Sequence, residues 1–438
     1  MRIVMIGTGY VGLVSGVCFS EFGFDVTCVD VDEKKIERLN AGEVPIFEPG
    51  LDALMQRNTA GGRLAFTTDL ATAAGEADVV FVAVGTPSRR GDGEADLTYV
   101  EAAARQIAAA IRPGTVVVIK STVVVGTCRR VRDIIRAARP DLDFSIASNP
   151  EFLREGAAIE DFMRPNRVIC GVDDERAEQM LRRLYRPLYL RETPMVMTTL
   201  ENAELIKYAA NAFLAMKITF INEVSDLCEK VGGNVQEVAR GIGLDHRIGG
   251  KFLHAGPGYG GSCFPKDTKA FASTGRRHEA PQTLIEQVIA VNDNRKRAMA
   301  ERILAELGDG AKGATVGILG IAFKPNTDDV RDAPSLEIIP MLQAKGVSVR
   351  AHDPEARETA SPLLPGITWC ESAYEAADGA DILVILTEWN EYRVLDFAEV
   401  TARMKGRTLM DLRAIYKDDD MAGTGLRYVP VGRKPVEG

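Results

Sequence analysis

The sequence predicts an α/β protein with two Rossmann-like, doubly wound domains joined by a long central helix, and three observations carry that prediction. An apolar run over residues 2–7 stops at Gly7-Thr8-Gly9-Tyr10-Val11-Gly12, and a helical pattern follows from Leu13 to Phe22. Strand, glycine turn and helix is the order of a dinucleotide-binding unit. Further short apolar runs then alternate with helical stretches, the pattern of a parallel sheet with crossover helices. Finally, the alternation gives way at Glu201–Val231 to a helical stretch without Gly or Pro, and it begins again after residue 308.

Taken in order, the second strand covers Asp25–Val29 and ends on Asp30, and the third covers Asp78–Val84 and ends at Gly85-Thr86-Pro87. Two more run over 115–120, ending at Ser121-Thr122, and 144–147, ending at Asn149-Pro150-Glu151. Each strand delivers polar residues at its carboxyl edge, where ligands bind in open α/β sheets. The stretch 201–231 predicts a helix of roughly 45 Å at ~1.5 Å per residue, long enough to connect domains. A Gly-rich stretch at 256–261 and a helical one at 282–306 precede the second set of strands, at 315–319, 347–351 and 381–386. The expected division is a cofactor domain over 1–200, a helical and dimerisation region over 201–308, and a second Rossmann-like domain over 309–438.

A chain of 438 residues exceeds one ordinary core, and 46% hydrophobic with 26% charged residues is a globular balance. The formal net charge of −9 excludes wholesale nucleic-acid binding, which needs a basic footprint. The longest apolar runs fall far short of the ~20 residues that span a bilayer, so no membrane partner is expected. Glycines arrive before the apolar core of a secretory signal can build up, and the protein is expected in the cytoplasm. Seven cysteines without a Cys-x-x-Cys pair suit a reduced compartment. His246, His254, His278 and His352 are scattered, and no metal site is expected.

Gly7, Gly9 and Gly12 permit a tight turn, close backbone approach to a pyrophosphate, and close helix-to-strand packing. Asp30 at the end of the next strand suits the ribose hydroxyls and repels a 2′-phosphate, which favours NAD over NADP. Lys35 either neutralises that region or is a solvated lysine. Cys263 sits in Gly256-Pro-Gly-Tyr-Gly-Gly-Ser-Cys263-Phe-Pro-Lys266-Asp267, a loop instead of an apolar core, whereas the other six cysteines have the surroundings of inert thiols. Lys266 and a helix starting after Pro265 would lower the thiol pKa, but spacing does not separate a reactive thiol from an ordinary one. Asp267 reads equally as a helix-capping carboxylate or a base for water. Glu204, Lys207 and Asn211 form a polar stripe at helical spacing, and a solvated face is the usual meaning of such a stripe. Glu151 to Glu155 follow a strand, and the cations Lys324 and Arg331 sit where the second sheet's first turn is expected, a placement that suits a phosphorylated ligand.

In combination, Gly7-x-Gly9-x-x-Gly12, the Asn149-Pro-Glu-Phe-Leu-Arg-Glu155 loop, Gly-Gly-Ser-Cys263-Phe-Pro-Lys-Asp267 and Arg331-Asp-Ala-Pro-Ser335 resemble the UDP-glucose 6-dehydrogenase family, within the wider UDP-glucose/GDP-mannose dehydrogenase group. The resemblance in order and spacing covers essentially the whole chain. It implies oxidation of a nucleotide sugar at C6 to a carboxylate, as in UDP-glucose to UDP-glucuronate, with two NAD reduced per turnover. It further implies that Gly7, Gly9, Val11, Gly12, Asp30, Lys35, Thr86, Thr122, Glu155, Lys266 and Arg331 contact NAD. The UDP-sugar would be met by Glu151, Phe152, Leu153, Arg154, Glu155, Lys207, Asn211, Phe252, Leu253, His254, Ala255, Gly256, Gly260 and Lys324, with Arg247 reaching a neighbouring subunit's site. Cys263 would be the nucleophile, passing through a thiohemiacetal and a thioester, with Lys207, Asn211, Asp267, Glu151 and Thr122 completing the catalytic set. Homodimers through the central helix are implied as well.

A GDP-mannose 6-dehydrogenase, or another nucleotide-sugar 6-dehydrogenase, is the alternative. Phe264 and Glu155-Gly156 resemble the UDP-glucose branch, where the mannose branch tends to have Leu and Glu-Ser. A two-electron dehydrogenase and a non-catalytic sensor are the more distant readings, and the Cys263 loop speaks against both.

Overall fold

The computed structural model describes residues 1–87, 89 and 93–438. The chain forms two compact units, one of residues 1–210 with 273–281 and the other of 211–272 with 282–438.

The first unit holds an eight-stranded sheet: β1 Arg2–Ile6, β2 Asp25–Val29, β3 Leu64–Thr67, β4 Val79–Val82, β5 Val116–Ile119, β6 Ser145–Ser148, β7 Val168–Val172 and β8 Met195–Thr198. Their order is β3-β2-β1-β4-β5-β6-β7-β8. Strands β4 and β5 read Val-Val-Phe-Val and Val-Val-Val-Ile and are buried at every residue. A strand covered by helices on both faces has no solvent side, so it cannot alternate. All pairings are parallel except β6 with β7.

The second unit holds β9 Thr315–Leu319, β10 Ser348–His352, β11 Thr368–Trp369, β12 Ile382–Ile385, β13 Thr408–Asp411, β14 Arg427–Pro430 and β15 Val436–Glu437. The order β11-β10-β9-β12-β13-β14-β15 repeats the first seven positions of the other sheet. Only the closing pair, β14 with β15, is antiparallel. Two doubly wound sheets and the helix Leu200–Val231 therefore match the fold class expected from the sequence. That helix has 32 residues, which makes it about 48 Å long at ~1.5 Å per residue.

The structure corrects the expectation in detail. Leu64–Thr67 is an unforeseen strand, so the run over 78–84 forms the fourth strand and not the third. The antiparallel β7 and β15 make both sheets mixed instead of purely parallel.

The repeat extends to the first turns, since Gly7 (φ 96°) and Gly320 (φ 92°) both follow a first strand in the left-handed region. Asp30 and Asp353 both follow the second strand. Asp353 is 6% exposed and accepts five hydrogen bonds, from the amides of Ile321, Ala322, Glu355 and Ala356 and from the Trp389 indole. Among the described residues no helix is long and apolar enough to cross a membrane.

Candidate active site

In the first unit the helix Tyr10–Glu21 starts directly after Gly9, with β1 feeding the turn. A Cβ on Gly12 would lie 1.9 Å from the Gly7 carbonyl oxygen, so only glycine lets the helix pack this closely on the turn. At Gly9 a Cβ would meet nothing within 4 Å, which leaves the mouth of the turn open to a ligand. Asp30 reaches back to the turn: its Oδ2 accepts from the Thr8 amide at 2.8 Å and the Thr8 hydroxyl at 2.7 Å, and its Oδ1 accepts from the Asp32 amide. Burial pushes this carboxyl up, but the Thr8 and Asp32 donors and Lys35, whose ammonium is 3.5 Å away, outweigh it and hold it below the usual range. A cleft of about 440 Å³ opens beside these residues, lined by Gly7, Asp30, Val31, Thr68, Leu70 and Val84 among others. An open glycine turn, a helix N-terminus and an ionised acid beside a cleft of that size fit a dinucleotide. Thr86 and Thr122 stand at the carboxyl ends of β4 and β5, where the Thr86 hydroxyl donates to the Thr122 carbonyl at 2.8 Å.

Glu151 follows β6 and is buried, with its Oε1 2.9 Å from the Lys207 ammonium and its Oε2 accepting from the Leu153 amide. Burial raises this carboxyl, yet Lys207, the Leu153 amide and the more distant Lys120 hold it below the ordinary glutamate value. The Phe152 ring lies 5.2 Å from the Lys207 ammonium and 3.7 Å from the Arg167 guanidinium. Arg154 closes on Asp161 of the short helix Ala158–Met163, and Glu155 follows it. Behind Glu151, the Lys120 ammonium donates to Asn149 Oδ1 at 3.2 Å and Tyr185 Oη at 3.4 Å, and burial lowers its pKa to about 8.

The solvated-face reading of Glu204, Lys207 and Asn211 is overturned, because they are 2%, 3% and 6% exposed. Glu204 accepts from the amides of Gly126 and Cys128 at 2.7 and 2.8 Å, which caps the helix Thr127–Ala138. Periodicity alone cannot show what covers a helix face.

In the second unit Cys263 immediately precedes the helix Phe264–Arg277, which begins at Phe264 and not after Pro265. It is half-buried, whereas the other six cysteines are buried, and the Ser262 hydroxyl lies 3.5 Å from its sulfur. One turn along, the fully buried Asp267 accepts from Asn211 Nδ2 at 2.6 Å and from the Lys266 ammonium at 2.5 Å. Asp267 is thus held by side chains instead of capping its helix. Two donors fix its carboxylate beside the turn that presents the thiol.

The Gly-rich loop is pinned on both sides. Asn222 accepts from the Gly256 amide at 2.8 Å, and Arg295 donates to the Gly256 carbonyl at 2.9 Å. Gly260 packs so tightly that a Cβ would lie 2.4 Å from the Asp332 carbonyl oxygen, and the Gly261 amide donates to the Arg331 carbonyl at 2.7 Å. Lys324 extends over the Phe323 ring, Arg331 pairs with Asp329 through its side chain, and Arg247 pairs with Asp245 at an exposed position. Phe252, at φ 65°, leads into Leu253, His254 and Ala255, which line a cleft of about 480 Å³ with Arg240, Leu244 and Arg413. Arg413 escaped the sequence reading; it donates to the carbonyls of Leu386 and Phe323, and only its position after β13 would have flagged it. Among the described residues no group of three or more His, Cys, Asp or Glu side chains is placed to hold a metal ion.

Three models of the UDP-glucose/GDP-mannose dehydrogenase family match the chain: the NAD binding domain over residues 1–189, the central domain over 201–294 and the UDP binding domain over 317–418. A UDP-glucose 6-dehydrogenase of Rhizobium meliloti is 60% identical over 435 residues, covering 99% of this chain and 100% of that one. The UDP-glucose 6-dehydrogenase TuaD of Bacillus subtilis is 45% identical over 100% of this chain and 94% of its own. A solved UDP-glucose dehydrogenase from the archaeon Pyrobaculum islandicum superposes with a TM-score of 0.90 at 39% identity, covering 99% of this chain and 98% of that one.

Proposed function

Since the chain belongs to the UDP-glucose/GDP-mannose dehydrogenase family and is an NAD-dependent dehydrogenase, we propose that it oxidises UDP-glucose at C6 to UDP-glucuronate through a covalent intermediate on Cys263. The observation that carries this reading is the thiol itself, half-buried at a helix start, one turn from a buried carboxylate held by Asn211 and Lys266. The sugar assignment draws on the relatives, which are UDP-glucose 6-dehydrogenases by name.

Bound NAD supplies a hydride acceptor, and Gly7, Gly9, Val11, Gly12, Asp30, Lys35, Thr86, Thr122, Glu155, Lys266 and Arg331 would hold it. C6 first gives up a hydride while its hydroxyl gives up a proton, leaving an aldehyde. The Cys263 thiolate adds to that carbon, and the former carbonyl oxygen takes a proton to complete a thiohemiacetal. Loss of a second hydride from the same carbon, with the proton of its hydroxyl, leaves a thioester. Water then adds, the C–S bond breaks, and the thiolate returns as the carboxylate departs. Lys207 steadies the oxyanions, Asp267 takes the proton of the attacking water that Asn211 helps to hold, and Glu151 directs the Lys207 ammonium. Arg154, Phe252, Leu253, His254, Ala255, Gly256, Gly260 and Lys324 belong, in this reading, to the UDP-sugar site, with Phe152, Leu153 and a neighbouring subunit's Arg247.

The experiment is a turnover assay with UDP-glucose and GDP-mannose side by side, counting NADH released per sugar consumed. Two NADH per UDP-glucose, and little turnover of GDP-mannose, is the expected outcome. One NADH per sugar would remove the thioester route, and preference for GDP-mannose would remove the sugar assignment.

The same reading extends to assembly and place. Phe213, Phe220 and Leu227 are 56%, 50% and 61% exposed at seven-residue spacing on the long helix, an apolar stripe of the kind one copy buries against another. We assign a homodimer on that basis. Seven free thiols suit the reducing cytoplasm. The segments 1–200, 201–308 and 309–438 are assigned to the cofactor, to the connecting and dimerising region, and to the nucleotide sugar.

A further inference from the structure

Two residues that have no place in the scheme above hold the loop 151–157 to the dinucleotide turn. Glu48 is 7% exposed, and the hydrogen-bond partners of its side chain lie 38 to 111 residues away. Its Oε1 accepts from the amides of Ala158 and Ile159 at 2.8 and 3.3 Å, in the first turn of the short helix Ala158–Met163. Its Oε2 accepts from the Gly156 amide at 2.8 Å and from the Tyr10 hydroxyl. The Tyr10 oxygen accepts from the same Gly156 amide at 2.9 Å and reaches the Arg154 carbonyl at 3.5 Å. Tyr10 is the first residue of the helix Tyr10–Glu21, next to Gly9 at the mouth of the glycine turn. Burial and the Glu48 carboxylate push its hydroxyl well above the ordinary tyrosine pKa, so it stays a donor at every working pH.

An unbroken chain of hydrogen bonds, all within the first unit, therefore runs from the residue beside the glycine turn to the loop that carries Glu151 and Glu155. A phosphate seated at a helix N-terminus bears on the first-turn residues, and Tyr10 is one of them. Without a partner, the Gly156, Ala158 and Ile159 amides would be unpaired donors in a partly buried segment, each costly to strand. The carboxylate with two occupied oxygens is the only group among the described contacts that meets all three.

We propose that Tyr10 and Glu48 are positioning residues that couple occupancy of the dinucleotide turn to the order of the loop 151–157, so that cofactor and substrate loop stabilise each other. The inference rests on NAD binding at the glycine turn and is independent of which sugar is oxidised. Tyr10→Phe is the clean probe, because it removes the hydroxyl link and leaves Glu48 with its three amide bonds.

Hydrogen exchange of the full chain, with and without NADH, tests it. In the parent protein NADH should slow exchange both in peptides covering the turn and in peptides covering 153–160. In Tyr10→Phe the turn should still be protected while the response at 153–160 is lost, and the KM for UDP-glucose should rise on the order of fivefold or more, the scale of an ordinary coupling between sites. Glu48→Gln, which puts an amide group among amide donors, should loosen 153–160 even without NADH. A merely structural role would loosen that segment in both variants and leave its NADH response intact. An unchanged NADH response in Tyr10→Phe, or none in the parent protein, overturns the proposal. Absence of turnover with UDP-glucose in the parent would sink the substrate assignment instead, and the exchange result would stand apart from it.

Discussion

Six thiols of this chain are buried and pushed above their ordinary pKa first of all by that burial, Cys28 and Cys170 to about 12. Thiolates, not thiols, react. A disulfide reagent added to the native protein should therefore modify Cys263 first, and mass spectrometry of a digest after brief exposure reads the site; early labelling at another cysteine would remove its special standing. Cys263→Ser should release two NADH per chain in a single burst and then stall on an ester that resists hydrolysis, seen as a mass increase on the chain, while sustained turnover by Cys263→Ala would exclude covalent catalysis. Lys120 offers a test of a different kind. Its folded pKa of about 8 lies below the ordinary lysine value, so between the two the unfolded chain holds a proton that the folded chain lacks. Stability from this residue then rises with pH across that window and is lower below it. Denaturant titrations of the parent and Lys120→Met at several pH values from 8 upward should differ in slope by up to about one proton.

At the scale of elements, Glu204 shows how a side chain on one helix completes another. The helix Thr127–Ala138 begins after Gly126 without a side-chain cap of its own, and Glu204 accepts its first amides from 76 and 78 residues away. Glu204→Ala should cost about 1–3 kcal/mol in urea unfolding, the price of stranding buried donors. Gly12→Ala should abolish NADH binding, as followed by fluorescence, since the added methyl meets the Gly7 carbonyl. Strands β2 and β9 fell on their expected residues because a short apolar run ending in Asp or Gly leaves little freedom of placement. Strand β3 was not legible: Leu-Ala-Phe-Thr has four residues, of which only Leu64 and Phe66 are buried, and follows a helix with no turn signal beyond two glycines. The motif residues were legible from spacing, but the polar stripe was misread, because burial of Lys207 and Asn211 depends on partners 56 residues away in each case. Tyr10 lay in plain view inside the glycine motif, yet its tie to Glu48 and Gly156 spans 38 and 146 residues. No local pattern encodes such a tie.

For the whole molecule, the apolar stripe on the long helix makes assembly a measurable matter. Phe213→Glu with Phe220→Lys should halve the mass found by sedimentation, and a parent that sediments as a monomer would exclude the dimer. The two sheets share a strand order, yet their second-strand carboxylates differ in what they still have to give. Asp30 keeps an open cleft at its side, whereas Asp353 is spent on five donors of its own unit. The duplicated architecture thus offers one dinucleotide seat among the described residues, while the proposed reaction must unload two hydrides. The reduced carrier has to leave and a fresh one arrive between them, and for that interval the half-oxidised sugar needs a mooring. A covalent bond to the protein provides one that no exchange of carriers can loosen.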